Sequence, residues 1–229
     1  MRLLVINPNT SQFVTDRICD VAGKTLGPRA TVRGVTGSDG PRIVGNRAEC
    51  AWAAGEALRL ARGEAGSFDA VLLGISFDTG LEALRQDLGV PVVGMSEAGM
   101  LLAMTVARRF AMLTFGGYAV PLYEELIAQY GFQDRSAGVL SLPALSQAEL
   151  ENPRLVLPQL EAAITAAAKT RGAEAVVLAG AIFAGLAAEL RDRTPIPVVD
   201  GIVAATGLVE CLHALGLRKP SLGSFSKPA

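Results

Sequence analysis

Four short polar side chains follow an apolar run at the start of the chain: Arg2-Leu3-Leu4-Val5-Ile6 leads directly into Asn7-Pro8-Asn9-Thr10-Ser11. Amides and hydroxyls set this way suit the polar edges of a small carboxylate or amide. Groups that can titrate at comparable places are Asp78 after the third apolar run, Glu97 after the fourth, and Asp200 near the end. Asp78 reads as a cap for a helix starting at Leu81, Glu97 as a first-turn acid, and Asp200 as a cap for the last helix. Each is also a candidate for proton transfer or for polarising a ligand. Arg42 and Arg47 flank a glycine-containing loop, where a guanidinium could pair with a substrate carboxylate. The single histidine, His213, lies between Leu212 and Leu215 and reads as a packing or helix-end residue. Cys19, Cys50 and Cys211 are an odd number without metal-ligand spacing, each within a predicted helix, and read as buried thiols.

The elements that must position these groups alternate along the chain. Arg2 to Asn7 has no polar alternation and reads as a strand buried on both faces of a parallel sheet. Pro8 ends it, Asn9, Thr10 and Ser11 are natural helix caps, and a helix is predicted over Phe13–Thr25. A second strand over Ala30–Val35 precedes a turn-rich loop at 36–41, and an amphipathic helix covers Arg47–Gly63. Ala70–Ile75 is a third buried strand, Pro91–Gly94 a fourth, and Ser96-Glu97 is read as the cap and first-turn acid of a helix to Arg108. From Arg109 the pattern starts over: strand Phe110–Phe115, helix Tyr118–Tyr130, strand Gly138–Leu142, helix Pro158–Arg171.

Ala70-Val-Leu-Leu-Gly-Ile-Ser-Phe-Asp-Thr-Gly80-Leu81 is echoed by Ala175-Val-Val-Leu-Ala-Gly-Ala-Ile-Phe-Ala-Gly185-Leu186, with one offset of 105 residues and no gap. Two copies of a four-strand α/β unit follow. The predicted fold is α/β with two pseudo-symmetric lobes, each a mainly parallel four-stranded sheet flanked by helices, and a cleft between them. Residues 1–96 form the first lobe, with the helix of 201–229 packing back on it, and residues 97–200 form the second. Ligands of open α/β sheets sit at the carboxyl ends of strands. The expected binding positions there are Asn7, Asn9, Thr10, Ser11, Arg42, Ile75, Thr79 and Gly80 in the first lobe. In the second they are Thr114, Phe115, Gly116, Gly180, Ala181 and Ile182.

Composition narrows the partners. The net charge is −1, from 21 basic and 22 acidic residues without a dense basic cluster, which argues against a nucleic-acid surface. No apolar run reaches the roughly 18 residues of a membrane span, and the N-terminus enters strand pattern without a signal peptide. The expectation is a cytoplasmic protein with a small-molecule ligand.

Ile6-Asn7-Pro8-Asn9-Thr10-Ser11, Gly40-Pro41-Arg42-Ile43-Val44-Gly45, Asp78-Thr79-Gly80-Leu81, the segment from Pro91 to Ala98 and Pro197-Val-Val-Asp200-Gly201 resemble, in this order, the aspartate/glutamate/hydantoin racemase superfamily. The nearest branch is that of the hydantoin and allantoin racemases. The resemblance implies a cofactor-free isomerase, self-association into a homo-oligomer, and a ligand that is a small carboxylate or a hydantoin-like ureide. It also implies two cysteines, one per lobe, that remove and return the proton on opposite faces of the substrate carbon. The gapless alignment places Ile75 and Gly180 at those positions, and a one-residue deletion before Asp78 would place Ser76 at the first. None is a thiol, and an unactivated serine hydroxyl is far too weak an acid to replace one. Three readings follow: a racemase using Ser76, Asp78, Glu97 or a bound water; a lyase, decarboxylase or hydrolase on the same scaffold; or a small-molecule binding protein without catalysis.

Overall fold

The computed structural model describes residues 1–64, 68–220 and 223–225. The chain forms two compact units, Met1–Met95 with Ala205–Ala229, and Ser96–Ala204. Among the described residues each unit holds one four-stranded, all-parallel sheet flanked by helices, the α/β architecture that the alternation predicts. The Ser/Gly/Pro-rich tail from Ser221 lies outside the described residues apart from 223–225.

The first unit runs β1 (Arg2–Asn7), α1 (Gln12–Leu26), β2 (Thr31–Thr36), α2 (Arg47–Gly63), β3 (Ala70–Leu73), α3 (Leu81–Asp87) and β4 (Val92–Gly94). α4 (Met95–Val106) follows, and its Met95 still belongs to this unit. The strands lie in the order β2-β1-β3-β4. Leu3, Leu4, Val5 and Ile6 are at most 2 % exposed. Each such side chain contributes about 1.5–3 kcal/mol of transfer free energy, which holds the apolar run in the sheet. β3 stops at Leu73, short of the predicted Ile75, because its pairing with β1 ends at Ile6 and the chain then turns.

The second unit runs β5 (Phe110–Phe115), α5 (Val120–Gln129), β6 (Ser136–Leu142), α6 (Gln147–Glu151), α7 (Leu157–Arg171), β7 (Ala175–Leu178), α8 (Leu186–Leu190), β8 (Val198–Asp200) and the start of α9 (Gly201–Ala214). Its order, β6-β5-β7-β8, repeats that of the first unit. The offset of 105 residues extends into detail. Single 3-10 turns occupy Ser76–Asp78 and Ala181–Phe183, and left-handed glycines Gly80 (φ 90°) and Gly185 (φ 88°) precede α3 and α8. The Asp69 carboxylate accepts the backbone N–H of Arg2 at 2.8 Å, and Glu174 accepts that of Arg108 at 2.7 Å. One acid thus ties the start of the third strand of each unit to the start of its first.

Two start signals are corrected. α4 begins at Met95, so Ser96 lies inside the helix rather than capping it. α5 begins at Val120 because Gly117–Ala119 first form a 3-10 turn. The five-residue α6 is too short to show a helical period in the sequence. Its signal is a capping box, with Ser146 Oγ accepting the Glu149 N–H and Glu149 accepting the Ser146 N–H at 2.8 Å.

Candidate functional site

The polar stretch after β1 folds onto itself. Asn7 is fully buried and its Nδ2 donates to Ser11 O at 3.3 Å and to Thr15 Oγ1 at 3.0 Å. Asn9 Oδ1 accepts the Ser11 N–H at 2.9 Å. Ser11 occupies the N-cap position of α1 but makes no capping bond with its side chain; its hydroxyl donates to Arg42 O at 2.7 Å instead. Thr10 N donates to Pro41 O at 3.2 Å, and Gly37 N donates to Asn7 O at 2.9 Å. The loop after β2 is therefore laced to the turn after β1. Gly37 permits this approach, since a Cβ there would sit 2.4 Å from Pro8 O. What these residues leave for a ligand is the Asn9 Nδ2 amide and the exposed Arg42 guanidinium, neither of which has a partner among the described residues.

The same loop is held on its outer side by α2. The buried Glu56 carboxylate accepts the Ser38 N–H at 3.1 Å and two guanidinium bonds from Arg59 at 2.6 Å. The Arg59 bonds hold the Glu56 carboxyl below its usual range.

The turn after β3 brings together the other candidates of the first unit. Ile75 is extended and buried, Ser76 is half-buried, and Thr79 Oγ1 donates to Ser76 O at 3.3 Å. Phe77 and Asp78 both have positive φ, 62° and 46°. The N-cap position of α3 is held by Gly80 and not by Asp78. The Asp78 carboxylate lies instead against Gly94, the last residue of β4, within 2.8 Å of where a Cβ at that glycine would be. Gly94 gives no cue in the sequence except that the corresponding strand of the second half ends in Asp200.

In the second unit the strand ends are apolar. Thr114 is buried, and the Phe115 and Phe183 rings meet edge to face with centroids 5.7 Å apart. Gly116 has φ 69° and the Tyr118 ring covers the place of its missing Cβ. Gly180 has φ 133°, and Ala181 and Ile182 behind it are buried. Glu97 is half-buried in the first turn of α4. Asp200 caps α9: its Oδ1 accepts the N–H groups of Ile202 at 2.9 Å and Val203 at 3.2 Å, and Oδ2 accepts that of Gly185 at 2.6 Å. Burial pushes its carboxyl above the ordinary range, against the downward pull of the three donors. Asp200 also lines a groove of about 540 Å³ beside β8, with Leu102, Arg191, Pro195, Val198 and Val203.

The cysteines do lie in helices, but the reading of all three as buried is corrected. Cys19 and Cys50 are half-buried, whereas Cys211 is exposed on α9. Its turn faces solvent, as does the neighbouring His213. Burial and the nearby Asp16 push the Cys19 thiol up to about 11. Cys211 is therefore expected to give the fast phase with a chromogenic disulfide reagent at pH 8, and Cys19 the slowest. A fast phase that persists in Cys211→Ser would contradict this. Among the described residues no three His, Cys, Asp or Glu side chains gather as metal ligands, and no helix is long and apolar enough to cross a membrane.

Comparison with known proteins bears on what such strand ends do. The family model for Asp/Glu/Hydantoin racemase matches residues 3–209. The chain is 31 % identical over 231 residues to a hydantoin racemase of Paenarthrobacter aurescens, covering all of this chain and 98 % of that one. It is 30 % identical over 233 residues to a hydantoin racemase of Rhizobium meliloti, covering all of this chain and 95 % of that one. The crystal structure of an allantoin racemase from Pseudomonas fluorescens superposes with a TM-score of 0.94 at 30 % identity, covering all of this chain and 97 % of the other. The chain belongs to the Asp/Glu/hydantoin racemase family.

Proposed function

We propose that this chain is an isomerase acting at the acidic carbon of a small carboxylate or hydantoin-like ureide, with proton transfer by groups other than two thiols. The observation that supports this most is the end-to-end likeness to hydantoin racemases. The positions at which the family resemblance implies cysteines hold Ile75 or Ser76 in the first half, depending on a one-residue deletion, and Gly180 in the second, none of them a thiol. Removal of the proton next to a hydantoin carbonyl leaves a planar enolate with its charge spread over the ring. Such a carbon acid is weaker than a carboxylic acid but stronger than the α-carbon of a free amino acid, so a carboxylate can serve as its base.

Of the strand-end carboxylates, Asp200 is bound by three backbone N–H groups and Asp78 lies packed against Gly94. Glu97 is half-buried on the first turn of a twelve-residue helix, a rigid mount for an acid next to a strand end. In this reading the Glu97 carboxylate takes the carbon-bound proton, the enolate takes a proton on its opposite face from solvent water, and the proton held by Glu97 then neutralises the hydroxide left behind.

Proton NMR in D2O with L- and D-hydantoins, allantoin, aspartate, glutamate and arylmalonates tests the proposal. The expected result is deuterium exchange at the α-carbon of a hydantoin or ureide with loss of optical rotation, reduced by about 100-fold or more in Glu97→Gln. Absence of exchange across the panel would overturn the activity. Unchanged exchange in Glu97→Gln would remove Glu97 as the base.

A further inference from the structure

The fourth strands of the two units end alike, with a helix starting at the next residue: β4 ends at Gly94 before α4, and β8 ends at Asp200 before α9. At the second junction a carboxylate comes from the strand itself, buried and bound to backbone N–H groups. At the first junction the strand residue has no side chain. An ideal Cβ on Gly94 would lie 2.5 Å from Asp78 Cγ, 2.6 Å from Oδ1 and 2.8 Å from Oδ2. The Asp78 carboxylate thus fills the place that the side chain of residue 94 would take. The position matching Asp78 in the second unit, 105 residues on, is Phe183, a buried apolar residue. Each unit therefore carries one carboxylate at this junction, brought from the strand in one and from the preceding turn in the other.

Delivery from the turn has a visible cost. Phe77 and Asp78 are the non-glycine residues with positive φ among those described, and the matching turn at Ala181–Phe183 contains none. Left-handed backbone at such residues is strained and persists only where the surroundings require it.

We infer that Asp78 is the first unit's junction carboxylate, the counterpart of Asp200, and that it positions the turn from Ile75 to Gly80 instead of transferring a proton. The inference stands on geometry within the first unit and does not depend on the proposed reaction.

A relocation experiment tests it, using the full chain. Asp78→Ala is expected to lower Tm by about 5–10 °C, from a lost buried polar anchor at roughly 2–4 °C per kcal/mol for a chain of this size. Gly94→Asp alone is expected to lower Tm as well, because it forces a second carboxylate into the same space. Asp78→Ala with Gly94→Asp should regain at least half of the loss, each change offsetting the other. Asp78→Asn, which keeps the shape, should stay within a few degrees of wild type and hold any α-carbon exchange rate within about threefold. Two results would overturn the inference: a double variant no more stable than the less stable single one, or an Asp78→Asn protein that melts normally but has lost exchange. The thermal arms decide the matter even where no substrate shows exchange.

Discussion

Replacing Asp200 with alanine is expected to lower stability by about 2–4 kcal/mol, visible as a fall in Tm of roughly 4–16 °C. Two losses combine. The cap of α9 goes, because Oδ1 no longer receives the N–H groups of Ile202 and Val203, at about 1 kcal/mol. The Gly185 N–H, bonded to Oδ2 at 2.6 Å, is left without that acceptor, at about 1–3 kcal/mol. Asp200→Asn should fall between the two proteins: its Oδ1 can still cap α9, while its NH2 group faces the Gly185 N–H, donor against donor.

The pH dependence separates charge from shape. Burial raises the folded pKa of Asp200 above its unfolded value near 3.9. A raised folded pKa means the folded state holds the proton to higher pH than the unfolded state does. The stability linked to that proton is therefore complete below the unfolded value and is lost as pH rises through the folded one. Wild type should lose stability relative to Asp200→Asn as pH climbs from about 4 towards neutrality, and chemical denaturation at several pH values measures this. A constant difference between the two proteins would show that burial does not dominate at this carboxyl.

The second large effect concerns Ile75 and Gly180, the two positions where the gapless alignment with the family would place thiols. Ile75 has ordinary extended backbone, φ −132° and ψ 145°, and is 2 % exposed. Ile75→Cys removes buried carbon without straining the chain, and should cost about 1 kcal/mol. Gly180 differs, with φ 133° and ψ 121°. Space is not the obstacle there, since a Cβ would meet Phe115 at 3.5 Å and Ile182 at 3.7 Å, ordinary contacts. The obstacle is the backbone, which a residue with a side chain holds only at about 1–3 kcal/mol. Gly180→Cys is expected to be the more destabilising change, and Gly180→Ala should match it, because the cost lies in φ and not in sulfur. A neutral or stabilising Gly180→Ala, as occurs where native backbone suits alanine, would refute the strain argument. The second strand end has thus settled into a shape specific to glycine, and a thiol restored there would also have to move the turn.

Much of the fold could be read along the chain. Unbroken apolar runs at 3–6, 70–73 and 175–178, each too short for a helix, read as strands buried on both faces, and helical patterns between them force parallel connections. The 105-residue repeat extended that to two sheets of one topology, because the same local pattern meets the same packing rules twice. Sequence spacing likewise showed which residues stand at strand ends, from Asn7 through Asp78 and Thr114 to Asp200.

What those side chains do there was decided only by tertiary structure. Asn7 and Ser11 read as open donors, yet Asn7 bonds to Thr15 in the first turn of α1, and Ser11 to the backbone of Arg42 because the loop after β2 comes close to it. Asp78 read as the cap of α3, but two successive left-handed residues turn it towards Gly94, while Asp200 caps α9 as its position suggested. The difference is physical. Hydrophobic period depends on neighbours along the chain, whereas the direction of a polar side chain depends on turn dihedrals and on which distant residue leaves room. At Gly94 that room is an absent Cβ, which acquires meaning only when the turn after β3 is folded against it.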